Sequence, residues 1–474
     1  MPDLTTDVVL AGLPRARLVA DPRDSWVIVE AEDPATLSAY RSLRREVFVR
    51  EQGLFEVSDL DQVDDDPRTR VLIARLPDGT VLGGVRIHPA EAGRDLGWWR
   101  GSRLVVDPGE RSGRGLGAAL VRSACALAET AGALRFEATV QQPHEQLFAR
   151  LGWDSRSSVT LQGRPHVLMD WPIARVQRLV DATKSALGGL LDELVGQPLG
   201  GGGCGYVGDD GAPVPGSDLI AACDAILPSM VERDPEWAGW CAALVNLNDL
   251  YAMGATPIGL LDAVGARDAS FARRILRGIA DAAQAWGVPV LGGHTQLGVP
   301  GALSVTALGR ADRPVPGGGG RPGESLRLTA DLGGGWRPGY TGAQWDSSST
   351  RSPEELRALA HVVPGLAPTA SKDVSMSGLV GTTGMLAEAS SCRAVLDVRA
   401  IPTPEAATTG DWLTCFPGFA MITAEGSPAP YDPPDFLTTR VCGELTEGSG
   451  VGLRWPDGVV TEAVRATVTG MGAA

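Results

Sequence analysis

The sequence predicts two unlike regions, an α/β region with a mixed twisted sheet flanked by helices and, after about residue 172, an α+β region. Three observations support this fold class. The 474 residues exceed what one ordinary hydrophobic core holds. A strand, a glycine-rich loop and a helix follow one another over 102–131, and the six residues 200–205 read GGGGCG, a break that neither helix nor strand tolerates.

Composition narrows the class of protein. The net charge of −15, from 42 Lys+Arg against 57 Asp+Glu, argues against a nucleic-acid partner, which needs basic stripes. The sequence contains no apolar run of about 18 residues, so we expect no membrane span. The first residues do not resemble a secretory signal. Seven scattered cysteines without a CxxC pair indicate neither a disulfide framework nor a zinc site. We therefore expect a cytoplasmic, multidomain protein without membrane contact.

The elements of the first region follow from capping, alternation and turn signals. Asp33-Pro34 predicts the start of a helix that stops at Gly53. Pro77-Asp78-Gly79 predicts a hairpin turn between two strands. The predicted strands are 71–75, 80–87, 102–106 and 134–140, and the predicted later helices are 116–131 and 145–151.

The loop 107–117 carries the first chemical signal. Its glycines allow backbone N–H groups to approach an anion, and the helix that follows adds its partial positive charge. Arg111 and Arg114 supply countercharge for phosphates, and the order GxGxG differs from the GxGxxG of a dinucleotide site. The alternative interpretation is a solvated loop.

This region resembles the GNAT acyltransferases. Ser112–Gly117 aligns with the family's pyrophosphate loop, residues 147–153 (LFARLGW) resemble its late helix, and residues 46–53 (EVFVREQG) resemble the start of one GNAT branch. The resemblance implies that acetyl-CoA is the cofactor. The residues implied to bind it are Val105, Val106, Arg111, Ser112, Gly113, Arg114, Gly115, Leu116, Gly117 and Ala118.

Acetyl transfer to an amine or amino-acid-like substrate needs a base. The candidates by residue type are Glu46, Glu51, His88, Glu137, His144 and His166, of which we select Glu51, Glu137 and His144 as catalytic. Phe148 occupies the place where many relatives carry a tyrosine proton donor. Asp59, Asp61 and Asp64–Asp66 either attract a cationic amine or form a solvated face.

The second region carries carboxylates in small-residue contexts. After a single predicted helix over 173–195, Asp224 is expected at the end of a strand over 219–223, and Ser325–Leu328 reads as a further strand. Mg²⁺ prefers hard oxygen ligands and phosphates. The carboxylates that we predict to form a metal site are Asp209, Asp210, Asp224, Asp249 and Asp373.

These segments resemble the AIR synthase superfamily, which includes selenophosphate synthetase and thiamine-monophosphate kinase. The resemblance rests on residues 208–212 (GDDGA), 248–257 (NDLYAMGATP), 291–295 (LGGHT) and 373–379 (DVSMSGL). It implies that ATP and Mg²⁺ are cofactors, that the five aspartates are metal ligands, and that the chain forms a homodimer through a β-barrel. Lys372 is assigned to the phosphoryl charge, and the implied nucleotide-binding residues are Asn248, Gly254, Gly292, Gly293, His294 and Thr295.

Two residues of this region have two interpretations each. Cys204 is either a reactive cysteine, as in selenophosphate synthetase, or a loop cysteine without a catalytic task. His294 either contacts phosphate or metal, or is a structural turn residue.

The expected organisation is a GNAT domain (1–172), a helical linker with a glycine-rich loop (173–204), and two AIR synthase-like subdomains (205–312 and 313–474). This order resembles a bacterial nitrogen-starvation N-acetyltransferase fused to an AIR synthase-related domain. The leading hypothesis is a bifunctional enzyme of small-molecule nitrogen metabolism that acetylates an amine and transfers a phosphoryl group to a carbonyl, carboxylate or amide oxygen. The alternatives are a non-catalytic acyl-CoA and ATP sensor and a pathway scaffold.

Overall fold

The computed structural model describes residues 25–111, 115–198, 202–203, 205–427 and 431–473. Its contacts divide the chain into two compact units, Met1–Arg94 with Trp98–Ile173 and Asp95–Gly97 with Ala174–Ala474. Among the described helices, none is both long and apolar enough to cross a membrane.

The first unit is built on a mixed sheet with the strand order β1-β2-β3-β4-β5-β7-β6. The strands are β1 (Val27–Glu30), β2 (Arg70–Arg75), β3 (Val81–Pro89), β4 (Trp98–Val106), β5 (Arg135–Gln141), β6 (Asp154–Leu161) and β7 (Arg164–Trp171). The predicted hairpin joins β2 to β3 as an antiparallel pair. Strand β4 starts four residues earlier than predicted, because Trp98 and Trp99 continue its pairing with β5.

The helices of the first unit are α1 (Pro34–Arg44), α2 (Leu116–Thr130) and α3 (Glu145–Arg150). The predicted cap of α1 is confirmed: an Asp33 side-chain oxygen accepts a hydrogen bond from the Thr36 N–H at 2.8 Å. Helix α1 continues into a π-helical segment, Arg45–Glu51, so the helical stretch ends before Gly53 as predicted. In α2, Leu120, Ala124 and Ala128 are buried against the sheet.

The second unit begins with α4 (Arg175–Thr183) and α5 (Leu187–Val195). The prediction of one helix over 173–195 is therefore wrong. The chain turns at Lys184–Ala186, and the Gly188 N–H donates to the Thr469 carbonyl at 2.8 Å. This tertiary hydrogen bond anchors the start of α5, which the local apolar pattern could not reveal.

The next part of the second unit is a sheet in the order β11-β10-β12-β9-β8. Its elements are β8 (Ala212–Pro213), β9 (Leu219–Ala225), α6 (Pro228–Arg233), α7 (Pro235–Ala252), β10 (Thr256–Ala266), α8 (Ala269–Trp286), β11 (Val290–Leu297) and β12 (Ala302–Arg310). Helices α7 and α8 pack closely because Gly278 has no side chain: a Cβ there would lie 1.9 Å from the Glu236 carbonyl oxygen.

The rest of the second unit is a sheet in the order β16-β19-β13-β20-β17-β21-β22 with a smaller sheet β14-β15-β18. Its strands are β13 (Ser325–Ala330), β14 (Gly335–Trp336), β15 (Gln344–Asp346), β16 (Ala370–Asp373), β17 (Arg393–Asp397), β18 (Phe416–Pro417), β19 (Ala420–Glu425), β20 (Thr438–Thr446), β21 (Val451–Arg454) and β22 (Val460–Val464). Its helices are α9 (Pro353–Ala358), α10 (Val362–Leu366), α11 (Gly378–Ala389) and α12 (Thr409–Thr414). The strand predicted at 325–328 is confirmed as β13.

Candidate functional site

Three aspartates from distant parts of the second unit meet at one point. Asp210 lies in the loop before β8, Asp249 in the last turn of α7, and Asp373 at the end of β16. One carboxylate oxygen of each lies within 4.8 Å of the others, and Asp249 and Asp373 are buried. Folding thus brings together three carboxylates of which the first and the last are 163 residues apart in the sequence.

Asp224 is held beside this group by an asparagine that the sequence analysis missed. The buried Asn246 side-chain oxygen accepts a hydrogen bond from the Asp224 N–H at 3.1 Å, and its amide donates to the Ala242 carbonyl at 2.8 Å. Asn246 precedes Asp249 by three residues on α7, so the two share a helix face. Strand β9 continues through Asp224 to Ala225, so the prediction that Asp224 ends it is wrong.

Lys372 is buried within the cluster rather than exposed to solvent. Its ammonium lies 3.0 Å from an Asp210 oxygen and 3.9 Å from an Asp209 oxygen, and donates to the Gly208 carbonyl at 3.1 Å. The other Asp209 oxygen accepts from the Gly317 N–H at 2.8 Å. A Cβ at Gly317 would lie 2.4 Å from Asp209, so glycine is required there.

The cluster holds more negative charge than its surroundings neutralise. Burial raises the pKa of Asp249 and Asp373 well above the usual value, and their mutual proximity to Asp224 and Asp210 adds to this. Burial also raises the pKa of Asp209 to about 6, against the opposing charge of Lys372. One buried oxygen of Asp209 has no hydrogen-bond partner among the described residues. A divalent cation fits this set of hard oxygen donors, since it would supply the missing positive charge.

The first unit contains a cavity of about 800 Å³. Strands β4 and β5 pair only from Trp98–Gly101 to Arg135–Ala138 and then separate, which opens the sheet. Arg103 helps to bend β4 outward, because it adopts a left-handed backbone conformation (φ 53°) at a register shift against β3. The cavity reaches from β4 and β5 to the start of α2.

The first turn of α2 lines this cavity, and the first N–H groups of a helix have no partner within the helix itself. Gly115 adopts a left-handed conformation (φ 61°) at the helix N-cap, and the predicted residues Leu116, Gly117 and Ala118 form the first turn. Val105 and Val106 lie opposite on β4. The predicted residues Ser112, Gly113 and Arg114 lie outside the described residues, as does Cys204.

Arg111 and Glu51 form a paired contact at the cavity wall. The Arg111 guanidinium donates to both Glu51 oxygens, at 2.5 and 2.8 Å, and each side chain is 40% exposed. The hydrogen bonds from Arg111 lower the pKa of Glu51. An ionised carboxylate that already accepts two hydrogen bonds is less suited to act as the base than a free one.

Glu137 and His144 have different surroundings. The Glu137 carboxylate is buried and accepts hydrogen bonds from three guanidiniums, those of Arg100 (2.7 Å), Arg135 (2.8 Å) and Arg156 (2.8 Å). His144 is exposed and lines the cavity. Phe148 is buried edge-on against Trp153, with ring centroids 5.3 Å apart, and offers no hydroxyl. Of the three selected candidates, His144 is thus the one that carries no ion pair in the described structure.

The aspartates at 59–64 form an ion-pair network rather than a solvated face. The fully buried Arg44 donates to Asp59 at 2.7 Å and to Asp64 at 2.5 Å. The buried Arg86 donates to Asp61 at 2.7 Å and lies 2.9 Å from Asp64. This network borders the cavity through Arg86 and Asp61. Sequence reasoning missed it because the arginines come from α1 and β3.

Comparisons with known proteins agree with both geometries. Residues 37–153 match the profile of the acetyltransferase (GNAT) family, and residues 208–311 match that of the AIR synthase related protein, N-terminal domain. The chain is 36% identical over 223 residues to an uncharacterized protein of Synechocystis, a match that covers 46% of this chain and 69% of the relative. It is 31% identical over 228 residues to thiamine-monophosphate kinase of Halobacterium salinarum, covering 46% and 76% respectively. The chain belongs to the AIR synthase-related family.

Its N-terminal unit is a GNAT acetyltransferase domain, so the predicted fold class and the predicted fusion of two enzyme families are confirmed. A solved thiamine monophosphate kinase from Aquifex aeolicus is 20% identical, with a TM-score of 0.42, and the match covers 54% of this chain and 93% of that one.

The remaining predicted nucleotide residues of the AIR synthase-related unit lie in β11 and in or just after α7. Gly292, Gly293, His294 and Thr295 lie in the exposed edge strand β11. Among the described residues, no side-chain hydrogen bond or ion pair joins His294 or Thr295 to the cluster. Gly254 has a left-handed conformation (φ 68°) just after α7. Asn248 is buried and donates to the Gly418 carbonyl at 3.1 Å, while its side-chain oxygen has no partner in the described structure.

Proposed function

We propose that the chain is a bifunctional enzyme of small-molecule nitrogen metabolism. Its GNAT unit would transfer an acetyl group from acetyl-CoA to an amine or amino-acid-like substrate. Its AIR synthase-related unit would use Mg-ATP to phosphorylate a carbonyl, carboxylate or amide oxygen. The observation that carries the second activity is the group of three carboxylates, Asp210, Asp249 and Asp373. The single positive charge of Lys372 beside Asp210 cannot balance three carboxylate charges.

The residues suited to hold Mg²⁺ are Asp210, Asp249 and Asp373, with Asp209 and Asp224 beside them. When bound, the ion would neutralise phosphate charge and align a nucleotide for phosphoryl transfer. The curated relative from Halobacterium salinarum is named a kinase, which agrees with this reaction class. Buried, fixed carboxylates suit the task because they need little reorganisation when charge moves.

Lys372 would set the position of Asp210 rather than meet the substrate directly. Burial alone would lower the pKa of Lys372, but the charges of Asp210 and Asp209 outweigh it and raise the pKa. The ammonium therefore stays charged at its place beside Asp210. The Asp373 N–H donates to the other Asp210 oxygen at 3.0 Å, so this carboxylate is held from two sides.

In the GNAT unit, the N–H groups in the first turn of α2, at Leu116–Ala118, and the guanidinium of Arg111 would bind the pyrophosphate of acetyl-CoA. The separated strands β4 and β5 leave unpaired backbone groups beside the cavity, where an extended ligand arm can hydrogen-bond. His144 lines the same cavity and is our candidate for the base that accepts the proton of the amine.

We also propose a homodimer formed through the sheet that contains β11. The edge strand β11 and its neighbour β10 expose large apolar side chains: Leu291 is 57% exposed, Leu297 51%, Val290 40% and Leu261 38%. Several large apolar side chains exposed along an unpaired sheet edge are typical of an interface between subunits. Light scattering should give a dimer mass for the full chain, and Leu291→Asp should shift it to the monomer.

The proposed nucleotide site is tested by calorimetric titration of the full chain with Mg-ATP. The wild-type chain should bind one nucleotide per AIR synthase-related unit only when Mg²⁺ is present. Asp249→Asn should weaken binding at least 100-fold, because it removes a buried metal ligand. The matched control is Asp281→Asn, which changes an exposed carboxylate on α8 and should bind as the wild type does. A folded wild-type chain that binds no nucleotide would refute the proposal.

A second function is favoured by one observation in the GNAT unit. Phe148 brings no hydroxyl to the cavity, and Glu137 is fixed by three arginines, so two usual sources of proton transfer are lost. A sensor that binds acyl-CoA without turnover would explain both. Release of free CoA from acetyl-CoA in the presence of cellular amines would exclude this alternative.

A further inference from the structure

The segment Val468–Gly472, which follows β22, is fixed to helix α11 by one carboxylate. One Glu388 oxygen accepts hydrogen bonds from the N–H groups of Val468 and Thr469, at 2.7 and 2.8 Å. The other accepts from the Thr469 hydroxyl at 3.1 Å and from the Gly472 N–H at 3.2 Å. Gly384, one turn earlier on α11, admits the segment, because a Cβ there would lie 2.5 Å from a Val468 methyl. A side chain that accepts four hydrogen bonds holds this short segment in one conformation.

The same segment is held from a second side by the start of α5. The Gly188 N–H donates to the Thr469 carbonyl at 2.8 Å, and a Cβ at Gly188 would lie 2.5 Å from the Gly470 carbonyl oxygen. Gly470 and Gly472 both adopt left-handed conformations, with φ of 74° and 81°. Met471 lies between these two turns, so its half-buried side chain leaves the segment at a defined place.

The Met471 side chain packs on the loop that carries two of the aspartates. A Cβ at Gly208 would lie 2.4 Å from the Met471 methyl carbon and 3.4 Å from its sulfur, so the methyl group rests on bare glycine backbone. Gly208 directly precedes Asp209 and Asp210, and its carbonyl accepts a hydrogen bond from the Lys372 ammonium at 3.1 Å. Met471 therefore contacts the backbone at which the lysine and the two aspartates meet.

We propose that the segment Val468–Gly472 acts as a clasp on the loop Gly208–Asp210 and that Met471 is a positioning residue for the metal site. The metal part of this proposal rests on the function proposed above. Asp249 and Asp373 lie in a helix and a strand, whereas Asp210 lies in a loop, so its place depends on what packs against that loop. A ligand that must first be ordered weakens binding, and the clasp removes that cost. Methionine suits the contact because its unbranched, polarisable side chain adapts to bare backbone.

The low lysine content makes a metal-free test possible, since the chain has only Lys184 and Lys372. Lys372 is 1% exposed and should react slowly with an amine-acylating reagent, and the half-buried Lys184 is the internal reference. In the full chain, Met471→Ala should speed the acylation of Lys372 relative to Lys184 at least fivefold, because the loop that its ammonium contacts is no longer held. Met471→Leu keeps the side-chain volume and should restore the slow rate. Mass spectrometry measures both rates.

The second readout is the affinity for Mg²⁺, measured by calorimetry on the full chain. Met471→Ala should weaken Mg²⁺ binding about tenfold, and Glu388→Gln should act in the same direction because it loosens the anchor of the clasp. The control is Leu453→Ala, which truncates a buried side chain of β21. It should lower the unfolding temperature but leave the acylation of Lys372 and the affinity for Mg²⁺ unchanged.

Two different failures can be told apart. If the wild type binds Mg²⁺ and Met471→Ala leaves either the acylation rate of Lys372 or the Mg²⁺ affinity unchanged, the positioning role of Met471 alone is overturned. A folded wild-type chain that binds no Mg²⁺ would refute the proposed metal site, and the positioning role with it.

Discussion

The two units each contain a group of aspartates, and the groups have opposite electrostatics. In the GNAT unit, Asp59, Asp61 and Asp64 face the buried guanidiniums of Arg44 and Arg86. In the AIR synthase-related unit, Asp210, Asp249 and Asp373 face one another and a single buried lysine. Burial disfavours the ionised form of the aspartates in both groups. The arginines of the GNAT unit outweigh this effect of burial, whereas the single lysine of the other unit does not.

The pKa values express this difference. Burial opposes ionisation of Asp64, yet hydrogen bonds and charge from Arg44, with the charge of Arg86, lower its pKa well below the usual range. Burial and like charges raise the pKa of Asp249 and Asp373. Buried carboxylates that are paired with guanidiniums stabilise a fold. Buried carboxylates that face one another destabilise it until a bound cation neutralises their charge. Residue type alone therefore does not tell a structural aspartate from a metal ligand.

The largest effect should come from removing the central arginine of the satisfied group. Arg44→Met leaves Asp59 and Asp64 buried without their main partner, and we expect the GNAT unit to lose about 3–5 kcal/mol of unfolding free energy. Urea unfolding followed by the fluorescence of the GNAT tryptophans measures this. The exposed Arg50, paired only with Glu46, is the control, and Arg50→Met should change stability by less than about 1 kcal/mol. Equal effects of the two variants would remove the contrast between buried and exposed pairs.

Neutralising one aspartate should change the unfolding free energy of the metal-free chain in opposite directions in the two groups. Asp64→Asn should destabilise the metal-free chain by about 1–3 kcal/mol, because it weakens hydrogen bonds to Arg44 and Arg86. Asp249→Asn should stabilise the metal-free chain by on the order of 1 kcal/mol, because one pKa unit of relieved repulsion corresponds to about 1.4 kcal/mol. Calorimetric unfolding in a chelator measures both. A loss of stability in Asp249→Asn would show that its carboxylate is already satisfied without metal.

Mg²⁺ binding should depend on pH in the acidic range. Asp209 has a pKa of about 6, and its neighbours Asp249 and Asp373 also have raised values, so these groups must lose protons before they bind a cation. Affinity for Mg²⁺ should rise about tenfold from pH 5 to pH 7, with proton release detectable by titration in buffers of different ionisation enthalpy.

The same groups should make the metal-free unit less stable as pH rises. A carboxyl whose pKa is raised on folding stabilises below its unfolded value of about 3.8 and loses that contribution as pH passes its folded value, near 6 for Asp209. Unfolding temperatures should therefore fall from pH 4 to pH 7 without metal and recover when Mg²⁺ is added. A flat profile would mean that the carboxylates are ionised in pairs with cations.

The smallest effect should come from the exposed pair of Glu51 and Arg111. Glu51→Gln should leave the unfolding free energy almost unchanged, because both side chains are 40% exposed and solvent screens the pair. Affinity for CoA should rise slightly, since Arg111 is freed for the pyrophosphate. Stopped-flow acetyl transfer gives the decisive number: a loss of about 100-fold or more in kcat would identify Glu51 as the base after all. His144→Gln is the matched variant, and we expect it to lose more activity than Glu51→Gln.

The sequence by itself determined the two fold classes and most of the elements. The glycine loop before α2, the hairpin at Pro77–Gly79 and the cap at Asp33 are local signals, since each depends on residues within one turn. The five aspartates were also identifiable, because small residues surround them in recurring motifs. A structural feature can be predicted from the sequence when the residues that produce it are close together in the chain.

Tertiary structure decided which charges meet. The break between α4 and α5 depends on a hydrogen bond to Thr469, and Asp224 is positioned by Asn246 from another element. The partners of Glu137 come from three strands, β4, β5 and β6. An interaction between charges depends on their distance and burial, and both are set by long-range packing that no local pattern encodes.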